Sequence, residues 1–292
     1  MKKTLSSFDN RQVMHRPDYE IQHKLDSYLK DVQLHHHDFY ELYFLVSGDV
    51  TYSIESRIFH LMPGDMLLIS PQELHSAIIR PDMAPYERYV LWIAPELLTG
   101  LSTRQTNLLQ CFSGKPGRKN LLHFSTSVRK SIRDFMEMIL QESERSGGSF
   151  GADLMEHALI TALLVLLNRI SAERRDAAEI PADAPSGSDV LITNVVDYLN
   201  LHYSEQISLD QLAEQFFVSK FHLSHTFSQN VGTSVYRYLQ KKRLQIARQL
   251  LAQGEKSSVV YSRCGFSDYA GFYRAFRAEY GVSPRSYAIS AR

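Results

Sequence analysis

Between Leu34 and Ile93 the apolar residues come in short runs rich in Tyr, Phe, Val and Ile, separated by Ser47-Gly48-Asp49, Pro63-Gly64-Asp65 and Ser70-Pro71. Runs of that length predict an antiparallel barrel or sandwich, because β-branched and aromatic side chains suit a pleated surface while Gly, Pro and Asp suit its turns. The period then changes. Ile132, Phe135, Met136, Ile139 and Leu140 recur at intervals of three and four, the stripe of an amphipathic helix. Leu154 to Ile170 predicts a second helix, apolar almost all round toward its end and so buried between surfaces. The helix pair either covers the barrel or offers a dimer interface, and the pattern leaves both open.

Ser171 to Ser188 is rich in Ala, Pro, Ser, Asp and Glu with a single large aliphatic residue, Ile180, and reads as an interdomain linker. Beyond it the pattern is helical throughout. Ser208-Leu209-Asp210-Gln211 has the form of a capping box, and Gly232, Gly254 and Gly281 stand where helices should stop. This region repeats itself. Leu212 to Ser219 followed by Leu223, Phe227 and Gly232 matches Val260 to Asp268 followed by Phe272, Phe276 and Gly281. Each copy places a short helix, a tight turn, a Ser or Asp cap and a second helix with apolar residues four apart. That is the geometry of a helix-turn-helix, which lays its second helix in the DNA major groove. Ser234 to Ala252 predicts a longer helix that would space the two recognition helices about one DNA turn, roughly 34 Å, apart. The expected fold class is α+β in two domains, with boundaries at 1–170, 171–188 (linker) and 189–292.

Composition supports this division. A chain of 292 residues with 44% hydrophobic and 22% charged residues has ample core for two domains. Its zero net charge hides an asymmetry: from Asp189 onward there are 12 Lys and Arg against 8 Asp and Glu, a basic surplus that the acidic N-terminal part offsets. Cys111 and Cys264 are too far apart in sequence to suggest a disulfide framework or a CxxC metal site, which fits a reducing compartment. Met1-Lys2-Lys3 begins as a signal peptide would, but Thr4 to Asn10 carries no apolar core. The longest apolar stretch, Ala158 to Leu167, is half the length a bilayer requires. The expectation is a cytoplasmic protein with no membrane partner.

The C-terminal repeat resembles the DNA-binding domain of the AraC/XylS family over about a hundred residues. The resemblance is carried by Gly265-Phe266-Ser267-Asp268, Phe272, Arg274-Ala275-Phe276 and Gly281-Val282-Ser283-Pro284-Arg285-Ser286-Tyr287, with Tyr238-Leu239, Arg243, Ala247 and Leu250-Leu251 between the copies. Three positions depart from the family pattern: Tyr261 where a small residue is usual, Phe217 where Gly or His is common, and Ala288 where Arg is usual. Helical geometry turns Leu223, Phe227, Phe272 and Phe276 to the core, leaving Lys220, Phe221, Ser224, His225 and Ser228, and Tyr269, Ala270, Tyr273, Arg274 and Arg277, facing out. The resemblance implies that Phe221, Ser224, His225, Tyr269, Ala270 and Arg274 approach bases. Arg274 is the foremost of these, because a guanidinium can hold guanine O6 and N7 at once. Lys220, Lys241, Lys242, Arg277 and Arg285 read as phosphate contacts. The family implies double-stranded DNA, a small-molecule effector and RNA polymerase as partners, and a homodimer.

His35-His36-His37-Asp38-Phe39-Tyr40-Glu41 with Gly48 has the spacing of the first cupin motif, and Gly64-Asp65, Pro71 and His75 resemble the second. Leu29 and Ile79 stand where that pattern has Gly and Asn. The N-terminal part is therefore expected to be a cupin-like barrel with a helical pair. On one extended strand His35, His37 and Glu41 would share a face, inside the barrel, and with His75 could bind a divalent metal through three imidazoles and one carboxylate. Otherwise these side chains hydrogen-bond within the barrel or bind the effector. The same parity sends Tyr43 inward, and Trp92 lies on an expected strand. Aromatic faces with a few polar groups suit a small polar ligand such as a sugar. The reading is a transcription regulator that is not an enzyme; the alternative is a metal-dependent cupin enzyme fused to a DNA-binding domain.

Overall fold

Why the apolar runs lack a clean polar alternation becomes plain from the strand layout. The computed structural model describes residues 12–80, 84–112, 120–145, 149–176 and 186–290. Among these, β1 (Tyr19–Asp26), β2 (Asp31–His35), β3 (Tyr40–Ser47), β4 (Val50–Ile54), β5 (Arg57–Leu61), β6 (Met66–Ile69), β7 (His75–Ile79), β8 (Tyr86–Ile93) and β9 (Leu121–Leu122) form two antiparallel sheets. Their orders are β1-β8-β3-β6-β9 and β2-β7-β4-β5. Along β3, Tyr43 and Leu45 face the space between the sheets, whereas Leu42 and Phe44 face a layer of helices. Both faces of the first sheet are covered, so β3, β6 and β8 read as continuous apolar runs.

The covering layer is α1 (Pro95–Leu101), a 3-10 turn at Leu108–Phe112, α2 (Thr126–Arg145) and α3 (Ala152–Asp176). Ile132, Met136 and Ile139 of α2 and Ile160, Leu163, Leu164 and Leu167 of α3 pack beneath the first sheet. By length and composition alone, Ala152–Glu173 is long and apolar enough to cross a membrane, more than the stretch Ala158 to Leu167 suggests. Here only 28% of it is buried: Ile160, Leu163, Leu164 and Leu167 face the first sheet while Leu154 and Met155 stand exposed, so the helix packs by one face and is not enclosed between surfaces as its composition predicts. The segment read as linker from Ser171 is helical as far as Asp176, since Ser-Ala-Glu-Arg-Arg-Asp contains no helix breaker. The next helix begins at its other edge, with Ser186 as N-cap. Residues 177–185, the centre of that segment, and the chain start through residue 11 lie outside the described residues.

The C-terminal part comprises α4 (Gly187–Leu201), α5 (Leu209–Gln215), α6 (Lys220–Val231), α7 (Val235–Ala252), α8 (Ser257–Arg263), α9 (Tyr269–Tyr280) and α10 (Pro284–Ser290). Its ends are set by the expected chemistry. Ser208 and Gln211 complete both halves of a capping box, and Ser219 and Asp268 each accept a hydrogen bond from a backbone N–H at the start of a recognition helix. Gly232 and Gly281 take the left-handed conformation at the ends of α6 and α9. The units have separate cores, one around Leu223, Phe227 and Tyr238, the other around Phe272, Phe276 and Leu251.

The first unit rests on the barrel. Thr51 and Ser53 of β4 and Ser76 of β7 lie on the outer face of the second sheet, yet all three are buried. The Ser76 hydroxyl donates to the Val231 carbonyl at 2.8 Å, answering an acceptor that the end of α6 leaves without a helical partner. Leu34 and Leu74 of the barrel share a core with Ile192, Leu223 and Val231. Around this seam Lys242 pairs with Glu55 at 2.8 Å, and Arg248 Nη1 donates to Asp38 at 3.0 Å.

Candidate DNA-reading surface and barrel site

The two recognition helices, α6 and α9, each bury one face and leave the other open. Leu223 and Phe227, like Phe272 and Phe276, are wholly buried, whereas Lys220, Phe221, Ser224, His225, Ala270, Arg274 and Arg277 are exposed. Phe221 is 81% exposed, and its ring stacks with that of His225 at 6.0 Å between centroids. An apolar ring held in water at the start of a recognition helix, and stiffened by a neighbour one turn on, can meet a thymine methyl or a base edge. Tyr269 is partly exposed, and its hydroxyl lies 3.3 Å from that of Ser257.

The basic residues divide. Lys220 is paired with Asp210 at 2.8 Å, Lys241 with Glu279 at 2.6 Å and Lys242 with the barrel's Glu55. Lys241 and Lys242 thus meet neighbouring protein, because helical spacing turns this side of α7 to α9 and the barrel. Arg274 and Arg277 make no ion pair among the described residues. Phe217, 96% exposed, occupies its turn with a φ of 55°, the left-handed region usually given to glycine. Arg243 locks the two units together: Nε donates to the Tyr203 carbonyl at 2.7 Å and Nη2 to that of Glu205 at 2.6 Å.

Inside the barrel, His35, His37 and His75 each present one ligand atom, and these atoms lie within 4.8 Å of one another. The residues do not share a single strand, as the spacing suggested. His35 closes β2 in one sheet and Glu41 lies in β3 of the other, so 36–39 cross between sheets. Strand parity therefore fails across this crossing, but the crossing itself carries His37 to the cluster. His37 Nε2 lies 3.2 Å from Glu41 Oε2, which also accepts a hydrogen bond from Trp92 Nε1–H at 2.9 Å. Tyr43 faces the same interior and donates to the Tyr86 hydroxyl at 2.9 Å. Phe39, Tyr52 and Tyr86 also line it. Sequence reasoning did not select them, although alternation along Val50–Ile54 marks Tyr52 as inward.

Burial strongly disfavours charge here. It holds His35 well below its ordinary value, helped by His75 and His37. Burial, with His37 beside it, brings His75 down to about 4. For Glu41, burial favours the neutral acid, but the contact with His37, the adjacent His75 ring and the hydrogen bond from Trp92 outweigh it and hold the carboxyl below its usual value. Burial thus disfavours charge on His35 and His75, while Glu41 beside them is held as a carboxylate. A cavity of about 460 Å³ adjoins the cluster, lined by His37 and Phe39 of the barrel and by Arg248 and Tyr280 of the helical part.

Residues 26–164 match the family model of the AraC-like ligand binding domain, and residues 212–289 match that of a helix-turn-helix domain. The HTH-type transcriptional activator RhaS of Salmonella schwarzengrund (strain CVM19633) is 27% identical over 255 residues, 86% of this chain and 85% of that protein. Among solved structures, a transcriptional regulator with an AraC-type DNA-binding domain from Chromobacterium violaceum is 32% identical over 36% of this chain and 96% of its own, with a TM-score of 0.34. Unsaturated fatty acid bound wild-type ToxT from Vibrio cholerae strain SCE256 is 11% identical over 95% of this chain and 97% of its own, with a TM-score of 0.40. A ligand-binding barrel followed by paired helix-turn-helix units, each matched in its place along the chain, means that this protein belongs to the AraC family of effector-responsive, DNA-binding transcription regulators.

Proposed function

We propose that DNA is read by the outward faces of α6 and α9, and that the effector is a small polar molecule held by the barrel beside His35, His37, Glu41, Tyr43, His75 and Trp92. The observation that carries this reading is the 460 Å³ cavity at the edge of that cluster: of these six residues His37 lines it, with Phe39 beside it and Arg248 and Tyr280 opposite, and it lies within the usual size range of small-molecule sites. A molecule there touches His37 on one side and Arg248 on the other, so binding changes the contacts that set the helices against the barrel. A sugar, with several hydroxyls and an apolar ring face, suits such walls. In this reading the barrel senses and does not catalyse. The protein works in the cytoplasm, with RNA polymerase as a further partner.

For the full chain, log affinity for DNA upstream of the genes it controls should fall linearly with log salt, by about 0.9 per phosphate neutralised. Adding the right effector should shift that line without changing the requirement for Arg274. A salt-independent affinity, or none at low salt, sinks the reading.

The homodimer is proposed to form through α2 and α3, whose Met138, Leu154 and Met155 stand exposed. Changing Leu154 and Met155 together to glutamate should convert a dimer to monomers in sedimentation, with helix content unchanged. An unaltered dimer assigns the interface elsewhere.

A further inference from the structure

We propose that His35, His37 and His75, with Glu41, bind one divalent transition-metal ion, of the class of Zn²⁺, Co²⁺ or Ni²⁺. The proposal deepens, and rests on, the reading of the barrel interior as the regulator's sensing site. Its first support is convergence. Two nitrogens bound to one ion at about 2.1 Å can stand no more than about 4.2 Å apart, and the three ligand atoms here already lie within 4.8 Å of one another. Closing the remainder takes only small rotations of rings anchored at their far ends.

That anchoring is the second support. His35 Nδ1 lies 2.8 Å from the Gln33 carbonyl, His37 Nδ1 2.9 Å from that of Phe39, and His75 Nδ1 2.7 Å from that of Glu73. A carbonyl only accepts, so each Nδ1 carries the hydrogen, and a neutral ring then turns its Nε2 lone pair toward the cluster. Outer hydrogen bonds of this kind fix the tautomer and orientation of metal-bound histidines. Here three rings are set the same way by backbone that the fold has already placed.

The third support is electrical. His75 Nε2 is buried and accepts no hydrogen bond. His37 Nε2 and Glu41 Oε2, both acceptors when the ring is neutral and the acid ionised, face each other at 3.2 Å. A dication answers both and balances the buried carboxylate. The donor set decides the class of ion: three imidazoles and one carboxylate favour a borderline transition metal over Mg²⁺ or Ca²⁺, which prefer oxygen alone. Neither cysteine competes, for Cys111 lies in the core beneath the first sheet and Cys264 in that of the second helix-turn-helix.

The test uses the full chain, purified without a polyhistidine tag and stripped with a chelator. Titration with Co²⁺ should give one ion per chain and a visible ligand-field spectrum, which an equivalent of Zn²⁺ removes. Glu41→Gln, which keeps an acceptor for Trp92, should weaken Co²⁺ binding about tenfold or more. His75→Gln should weaken it at least about 100-fold, since losing even an outer partner costs 10–100-fold. Should His75→Gln fail to fold, the wild-type stoichiometry and the Glu41→Gln shift still decide. No stoichiometric uptake of Zn²⁺, Co²⁺ or Ni²⁺ up to millimolar concentration overturns the proposal, as does undiminished uptake by a folded His75→Gln. DNA affinity of the stripped chain tests the sensing role separately. A response to a small polar molecule without metal uptake removes the ion and keeps the sensor. Stoichiometric uptake with no effect of ion or small molecule on DNA affinity keeps the ion and removes the sensor.

Discussion

Gly265→Ala should cripple the second helix-turn-helix while leaving the barrel intact. Gly265 sits in the turn between α8 and α9 with a φ of 80°. A Cβ there would lie 2.8 Å from the Ser204 carbonyl oxygen and 2.9 Å from that of Tyr203. Neither neighbour can yield, because the Arg243 guanidinium holds the Tyr203 and Glu205 carbonyls, and the Gln206 side-chain amide donates to Gly265's own carbonyl at 3.1 Å. The left-handed conformation costs a non-glycine residue about 1–3 kcal/mol, and overpacking a rigid contact costs about 1–3 kcal/mol more. The urea midpoint of the helical part should fall accordingly, with loss of specific DNA binding, while the Tyr52 and Trp92 environment inside the barrel stays unchanged. Gly100→Ala is the control: it lies in α1, where an added Cβ would meet nothing within 4 Å, and should cost nothing. A Gly265→Ala protein as stable as wild type would show that the two units are not locked through 203–206.

The second large effect is expected at Arg274. It lies on α9 between the buried Phe272 and Phe276, exposed and without an ion pair among the described residues. It also lines the broad cleft between α6, α9 and the barrel, in company with Arg237, Lys30 and Arg80. If its guanidinium holds a guanine, Arg274→Ala should cost about 1–3 kcal/mol on the specific site, a loss of about 5- to 150-fold. The loss should shrink on DNA changed at that one base pair, and non-specific binding should hardly move. Arg277→Ala, as a phosphate contact, should weaken all sequences alike and reduce the salt slope by about one. Equal losses on matched and changed DNA for Arg274→Ala would make α9 an anchor that does not read sequence.

Much of this could be read from the chain because local chemistry and tertiary placement agree. The caps at Ser208, Ser219 and Asp268 and the stops at Gly232 and Gly281 depend on neighbours within a few residues, so the helical repeat was legible in full. Arg274 and Phe276 were placed by helical period alone. The barrel was harder. Thr51, Ser53 and Ser76 have the polar alternation of a wet sheet face, yet α6 covers them, and nothing local announces a partner from 150 residues on. The ion pairs of Lys241 and Lys242 are hidden in the sequence for the same reason: their partners, Glu279 and Glu55, are distant in sequence. The histidine cluster was found from its spacing but with the wrong geometry, since period two holds only within a strand and the chain changes sheets between His35 and Glu41.

That change of sheets gives four consecutive residues two duties. His35 and His37 turn into the barrel; between and after them, His36 reaches the Tyr280 hydroxyl at 3.3 Å and Asp38 meets Arg248. The loop leading into His75 does likewise, for Gln245 of α7 donates to the Gln72 carbonyl. The consequence is for anyone building hybrid regulators or biosensors. Cutting between the domains and joining this barrel to another regulator's helices would remove Arg248 and Tyr280, one wall of the proposed pocket, together with its transmission, because the contacts with the barrel lie on α7 and the end of α9. A working hybrid must transplant Gln245, Arg248 and Tyr280 together with the barrel, so the unit of exchange is a seam, not a domain.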